Sequence, residues 1–161
     1  MKRIYSVWVE NRSGVLCKVA GLFSRRSYNI DSLTVGETHD KTISSMTILS
    51  SGTSHTLEQI EKQLNKKLDV IKVRTFSEEQ AILREVILLK IKYTSDQRRE
   101  IMEICEFLKA EIVDATTTHM IITLCDTPDR IEKLLSMVRK FNIVEISRTG
   151  TLAMPKCGDG E

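Results

Sequence analysis

The sequence has no marked excess of charge of either sign and no long apolar run. Its 161 residues include 24 Lys and Arg against 22 Asp and Glu, a formal net charge of +2. So balanced a composition argues against a protein that holds nucleic acid by neutralising phosphates. The longest strictly apolar run, residues 86–89, is far too short to span a bilayer, and the N-terminus lacks the apolar stretch of a signal peptide. We therefore expect a soluble, cytoplasmic protein that binds neither nucleic acid nor membranes.

Motifs for catalysis and metal binding are also absent. The sequence has no P-loop, no GxSxG, no HExxH and no GxGxxG. There are only three histidines to serve as general bases, His39, His55 and His119. The four cysteines are widely spaced, which does not fit zinc or redox motifs and favours buried, reduced thiols; they are Cys17, Cys105, Cys125 and Cys157. The sequence thus predicts no catalytic residue, no metal site and no cofactor in this chain.

The sequence contains an internal repeat, in which one order of strands and helices occurs twice. Period-2 alternation predicts strands, and apolar residues at helical spacing predict amphipathic helices. In the first copy, a capping box at residues 56–59 predicts the start of the second helix, whose apolar stripe runs through Leu57, Ile60, Leu64 and Leu68. In the second copy, Thr127 followed by Pro128 predicts a helix start. The expected elements are strand 3–9, helix 14–27, strands 30–35 and 43–49, a helix from 56 and strand 70–74, then strand 83–93, helix 95–109, strands 111–116 and 120–125, a helix from 127 and strand 143–147.

This order predicts an α+β protein with two ferredoxin-like βαββαβ domains in tandem. Each would have an antiparallel four-stranded sheet with both helices on one face. We expect a first domain over residues 1–76, a linker over 77–82, a second domain over 83–152 and a flexible tail over 153–161. Domains this small have marginal cores, and an uncovered sheet face seeks a partner, so we expect oligomerisation. Trp8 is a candidate for that open face, or else an ordinary packing aromatic.

The loop between the first strand and the first helix, residues 10–16, has a chemical rationale as a binding site. A helix N-terminus offers unpaired N–H groups and a positive dipole end to a carboxylate. Gly14 lets the backbone approach a ligand, and the Asn11 amide can accept a hydrogen bond from an ammonium group. Such a loop would suit a free amino acid. The alternative is a plain turn, in which Asn11 and Ser13 cap the helix.

These residues resemble a known family. Residues 9–16, Val-Glu-Asn-Arg-Ser-Gly-Val-Leu, and residues 25–35, Arg-Arg-Ser-Tyr-Asn-Ile-Asp-Ser-Leu-Thr-Val, are similar to the ACT domain at the N-terminus of acetolactate synthase small subunits. Segments 46–48, 57–64, 84–91 and 147–150 resemble the same family in the same order. The resemblance covers residues 2–152, and it implies that the first domain is an ACT domain.

The resemblance further implies a regulatory subunit without catalytic residues of its own. Such a subunit binds and activates a catalytic large subunit, where thiamine diphosphate, Mg and FAD are expected, and it confers feedback inhibition by valine or a related branched-chain amino acid. The complex forms acetolactate or acetohydroxybutyrate on the route to valine, leucine and isoleucine. The implied effector site lies between two ACT domains of a homodimer and comprises Asn11, Gly14, Val15 and Leu16 of one copy with Asn29 and Ile30 of the other.

Two departures from the family pattern bear on the structure. Ser27 stands where the family often has Gly, so a left-handed helix end there would cost some stability. Ser45 stands where the family frequently has Arg, and we expect this difference to alter contacts with the catalytic subunit. The corresponding loop of the second domain, residues 93–97, has no glycine and carries Asp96 near the helix start, so we expect no small-molecule site there.

Two other functions remain open at this point. One is a stand-alone ACT protein that senses an amino acid and controls transcription or a different enzyme. The other is a small ferredoxin-like enzyme or metal carrier, which the scarcity of clustered His, Cys and carboxylates disfavours.

Overall fold

The structure, a computed structural model, describes residues 1–157 and divides into two compact units. One unit contains Met1–Ile82 together with residues 151–157, and the other contains Leu83–Gly150. Each unit has its own core of buried aliphatic residues. The division explains why the pattern in the sequence occurs twice.

The first unit has the predicted βαββαβ order. The elements are β1 (Lys2–Glu10), α1 (Val15–Arg25), β2 (Ser32–Glu37), β3 (Ile43–Ser51), α2 (Ser54–Asn65) and β4 (Val70–Phe76). The strands β2 and β3 form a hairpin, all pairs are antiparallel, and the sheet order is β2-β3-β1-β4. Alternation places Val7 and Val9 of β1 in the core beside Leu22 of α1 and Leu57 of α2.

The second unit repeats this plan. Its elements are β5 (Ala81–Lys92), α3 (Arg98–Leu108), β6 (Glu111–Ala115), β7 (His119–Asp126), α4 (Pro128–Val138) and β8 (Asn142–Arg148). The sheet order is β6-β7-β5-β8, again antiparallel. The core includes Ile87 and Leu89 of β5, Ile101 of α3 and Leu134 of α4. The predicted tandem ferredoxin-like fold is confirmed, and so is the helix start with Thr127 as N-cap and Pro128 in the first turn.

The predicted boundaries of α2 are wrong. Its N-cap is Thr53 in extended backbone, and the Thr53 hydroxyl oxygen accepts the N–H of Thr56 at 3.2 Å. The helix therefore begins one turn earlier than the box at residues 56–59 indicated, and it ends at Asn65. Leu68 consequently falls outside the helix and is 98% exposed rather than part of the buried stripe.

The expected linker and tail also differ from the structure. Glu78–Gln80 forms a short 3-10 helix closed by side-chain bonds between Ser77 and Gln80, and β5 already begins at Ala81. A ninth strand, β9 (Leu152–Pro155), pairs with β5, and the N–H of Lys156 donates to the carbonyl of Gln80 at 3.0 Å. The flexible tail is therefore wrong for residues 153–155, because backbone pairing orders them; residues 158–161 lie outside the described residues.

Residues 151–155, here called the strap, cover part of the first sheet's face that lies away from the helices. The N–H of Thr151 donates to the hydroxyl of Ser32 at 2.7 Å, and the hydroxyl of Thr34 donates to the carbonyl of Thr151 at 3.3 Å. β9 lies against β1, and Ile4 and Ser6 are buried although they alternate with the core-facing residues. The expectation that this whole face stays open is thus wrong for the half beneath the strap.

The cysteines are mostly at the surface, contrary to the sequence-based expectation. Only Cys105, on α3, is buried, and burial raises the pKa of its thiol. Cys17 lies on the solvent side of α1, and Cys125 alternates away from the buried Leu124 on β7. In residues 1–157 no three His, Cys, Asp or Glu side chains cluster as a metal site would require. No helix of the described chain has the length and apolarity needed to cross a membrane.

Candidate functional site

The start of α1 is an uncapped helix N-terminus built on a left-handed glycine. Gly14 is the N-cap residue with φ +85°, a conformation that glycine adopts without a Cβ penalty. No side chain caps the helix, so Asn11 and Ser13 do not have the capping role of the alternative interpretation. Within the described chain, the N–H groups of Leu16 and Cys17 have no backbone acceptor. These two donors and the positive end of the helix dipole are free to bind a carboxylate.

Asn11 ties this loop to the β2–β3 hairpin. Its side-chain N–H groups donate to Glu37 Oε1 at 3.1 Å and to the carbonyl of Lys41 at 2.8 Å. Its backbone N–H donates to the carbonyl of Thr42 at 2.7 Å. With both amide hydrogens used, the side-chain oxygen of Asn11 is the group left to accept a hydrogen bond from an ammonium.

Asp69 fixes the other side of the loop, a role that no local sequence pattern indicates. Its carboxylate accepts hydrogen bonds from Arg12 Nη2 and from Lys18 Nζ, each at 2.8 Å, and its carbonyl accepts the N–H of Glu10 at 3.0 Å. The hydrogen bond from Lys18, followed by that from Arg12, holds the pKa of Asp69 below its ordinary value, against the opposing effect of desolvation. In the sequence, Asp69 stands out only as a single acidic residue just before β4.

The two apolar candidates of the loop have different environments. Val15 is 2% exposed and belongs to the first core, so within one chain it supports the loop from beneath. Leu16 is 42% exposed beside the free N–H groups. Leu16 is thus the apolar surface that the loop offers to the side chain of a small ligand.

Asn29 and Ile30 lie at the other end of the sheet. Asn29 Nδ2 donates to Asp31 Oδ1 at 2.5 Å, the carbonyl of Asn29 accepts from the Ser50 hydroxyl at 2.6 Å, and Ile30 packs against the first core. On β3, Ser32 pairs with Leu49 and Glu10 pairs with Ile43. Six residues of strand separate these positions, or about 20 Å. A single chain therefore does not bring Asn29 and Ile30 to the loop at residues 10–16.

The bend before Asn29 contains a residue in left-handed backbone, at the position where the family often has glycine. Ser27 has φ +55°, and the N–H of Tyr28 donates back to the carbonyl of Phe23 at 3.0 Å. This bond closes the end of α1 and directs the chain toward Asn29. Lys109 has φ +58° at the end of α3, so both units end their first helix in this way without a glycine.

The corresponding loop of the second unit also leaves its helix without a side-chain cap among residues 1–157, but it carries an acidic residue. Gln97 is the N-cap of α3, and its side-chain oxygen accepts the N–H of Thr94 at 3.1 Å. The Thr94 side chain hydrogen-bonds Asp96 and holds the pKa of that carboxyl below its ordinary value. A carboxylate ligand would meet this negative charge, which supports the prediction that residues 93–97 bind no small molecule.

Comparison with known proteins agrees with this division into two halves. Residues 5–72 match the model of the AHAS small subunit-like ACT domain, and residues 84–157 match that of the small subunit of acetolactate synthase. The acetolactate synthase small subunit of Haemophilus influenzae is 42% identical over 157 residues, covering 97% of this chain and 96% of that protein. The chain belongs to the acetolactate synthase small-subunit family. The resemblance stated from the sequence is thereby confirmed.

Further members of the family agree over the whole chain. The isozyme 3 small subunit of Escherichia coli K12 is 40% identical over 157 residues, covering 97% of this chain and 96% of that protein. The crystal structure of the small subunit from Thermotoga maritima superposes with a TM-score of 0.91 at 34% identity, covering 97% of this chain and 98% of that one. The family fold thus extends over both units.

Proposed function

We propose that this chain is the regulatory subunit of an acetolactate synthase. It would activate the thiamine-diphosphate-dependent catalytic subunit in the cytoplasm and make the enzyme sensitive to valine or another branched-chain amino acid. The observation that carries the proposal is the uncapped N-terminus of α1 at the left-handed Gly14. The proposal places the chemistry, with thiamine diphosphate, Mg and FAD, in the catalytic subunit.

The loop offers one group for each part of an amino acid. The N–H groups of Leu16 and Cys17 suit the α-carboxylate, the side-chain oxygen of Asn11 suits the α-ammonium, and the exposed side chain of Leu16 suits an aliphatic side chain. Because Asn29 and Ile30 lie about 20 Å away in the same chain, the site we propose takes them from a second copy. Valine feedback therefore requires a homodimer through the ACT domains.

The comparisons favour this function over a stand-alone amino-acid sensor. Relatives that match 97% of the chain are named small subunits of acetolactate synthase. The second unit, taken by itself, also matches a model of that family. A sensor that shares only an ACT domain would resemble the family in the first unit alone.

The proposal is tested by titrating the matching catalytic subunit with this chain and measuring acetolactate formation. We expect the rate to rise and then saturate with added chain, and we expect valine to lower the rate only when the chain is present. Leucine and isoleucine, added separately, identify the effector. A catalytic subunit whose rate and valine response do not change on addition of the chain would contradict the proposal.

Gly14→Asp tests the placement of the carboxylate, and Gly14→Asn is its matched control. Both side chains tolerate the left-handed backbone and both would project from a position with nothing within 4 Å. They differ in charge alone. We expect Gly14→Asp to weaken valine inhibition about tenfold or more, with activation retained, and Gly14→Asn to weaken it much less. Equal valine sensitivity in the two variants would place the effector carboxylate elsewhere.

A further inference from the structure

The face of the first sheet opposite the helices extends beyond the strap, whose hydrogen bonds are made at Ser32 and Thr34. Trp8 lies there, alternating away from the core residues Val7 and Val9, and is partly exposed. Its neighbours across the sheet are Ser45 on β3 and Lys72 on β4. The row therefore runs from small side chains to an indole and then to a cation.

Two cations are held against the single indole of the chain. Lys72 Nζ lies 5.9 Å and Arg74 Cζ lies 5.7 Å from the centre of the Trp8 ring. Within residues 1–157, neither cation has a salt bridge. Glu10, the next acid on the same face of β1, is paired with Arg12 instead. The two side chains thus place like charges next to one another with no counter-ion.

On the β3 side of Trp8 the neighbouring residues are small. Ser45 pairs with Trp8, and Gly36 pairs with Ser45 one strand further along the sheet. A Cβ built on Gly36 would meet no atom within 4 Å. A peptide segment thus has room to lie over Gly36 and Ser45 and against the edge of the Trp8 ring.

We propose that the surface formed by Trp8, Lys72, Arg74, Ser45 and Gly36 docks an acidic segment of the catalytic large subunit. A carboxylate between Lys72 and Arg74 would form ion pairs with both side chains, a second acidic residue of the segment would balance the remaining charge, and the rest of the segment would cover the indole. Trp and Arg are the residue types that most often dominate interface energies. Two isolated cations in a chain of net charge +2 suit a short acidic segment better than a long polyanion. This inference rests on the proposed function.

The position of Trp8 allows a direct test, because it is the only Trp in the chain. The chain is prepared with 5-fluorotryptophan and its 19F NMR signal is recorded during titration with the matching large subunit. We expect the chemical shift to change on binding, because the surroundings of the indole change; line broadening alone would follow from the mass of any complex. An unchanged chemical shift with a large subunit that binds and is activated would overturn the docking surface alone. A large subunit that does not bind the chain would overturn the proposed function as well.

Charge reversal supplies the second arm. The double variant Lys72→Glu with Arg74→Glu is expected to bind the large subunit about tenfold or more weakly, and added salt is expected to weaken the wild-type complex but not the variant's. The control is Lys62→Glu with Lys66→Glu, two exposed lysines of the α2 region with the same change in charge. An equal loss in the control would overturn the proposal. So would a Trp8 signal that changes with the concentration of the chain alone, because a second copy would then cover this surface.

Discussion

Ser27 shows how one residue type sets the stability of a helix end. Its positive φ is required to end α1 and turn the chain toward Asn29, yet only glycine adopts it without strain. We predict that Ser27→Gly raises the free energy of unfolding by roughly 0.5–1 kcal/mol. Urea unfolding measures the change, and Lys109→Gly in the second unit is expected to act in the same direction. A loss of stability in both variants would show that the left-handed backbone of Ser27 and Lys109 does not lower the free energy of unfolding.

Asp69 makes the stability of the loop depend on pH. Because its pKa is lowered in the folded chain by Lys18 and Arg12, its contribution is complete above the ordinary value of 3.8 and is lost as the pH falls through the folded value. We predict that Asp69→Asn lowers the free energy of unfolding at pH 7 and that the difference from wild type shrinks at pH 3 and below. Urea unfolding across this range tests it. A difference that is constant with pH would contradict the ion-pair explanation.

Gly14 and Asp69, which both shape this loop, differ in how far the sequence predicts them. Gly14 follows a strand and precedes an apolar helix, so the local pattern alone predicts a turn there. Asp69 binds Arg12 and Lys18 across 57 and 51 positions of sequence. Such a contact leaves no local signal, because it depends on β4 pairing with β1. Only the fold reveals it.

At the scale of elements, alternation and helical spacing predict nearly every strand and helix because each has one buried face. The exceptions are short or capped unexpectedly. α2 begins at Ser54, since Thr53 outcompetes Thr56 as the cap, and β9 has only four residues. A strand this short shows no clear period, and its anchors, Ser32 and Thr34, lie more than a hundred positions away. The sequence therefore predicts a tail from residue 153, where the structure has a strand.

The strap gives a prediction about the first unit. Deleting residues 151–161 removes the cover from part of the sheet, including the fully buried Ile4. We expect the free energy of unfolding of the first unit to fall by about 2 kcal/mol or more. Deletion of residues 157–161 is the control, because it leaves the strap and the Lys156 bond to Gln80 in place. Equal stability of the two truncated chains in urea would show that the strap adds nothing.

At the scale of the whole molecule, two small cores and nearly balanced charge fit a subunit that works in an assembly. The first unit carries the candidate effector loop, and the matching loop of the second unit carries the negative charge of Asp96. The two copies of the plan thus differ in charge at this loop. Because the loop and Asn29 lie at opposite ends of one sheet, the proposed effector site requires two copies of the chain.

Mixing two defective variants tests this requirement most directly. Chains with Gly14→Asp and chains with Asn29→Ala are each combined with the catalytic subunit, and then the two are coexpressed so that mixed dimers form. In a mixed dimer one site carries both changes and the other is intact, so random pairing restores about one site in four. We predict that each variant alone gives valine-resistant acetolactate formation and that the mixture regains partial inhibition. A mixture as resistant as its components would contradict a site shared between two copies.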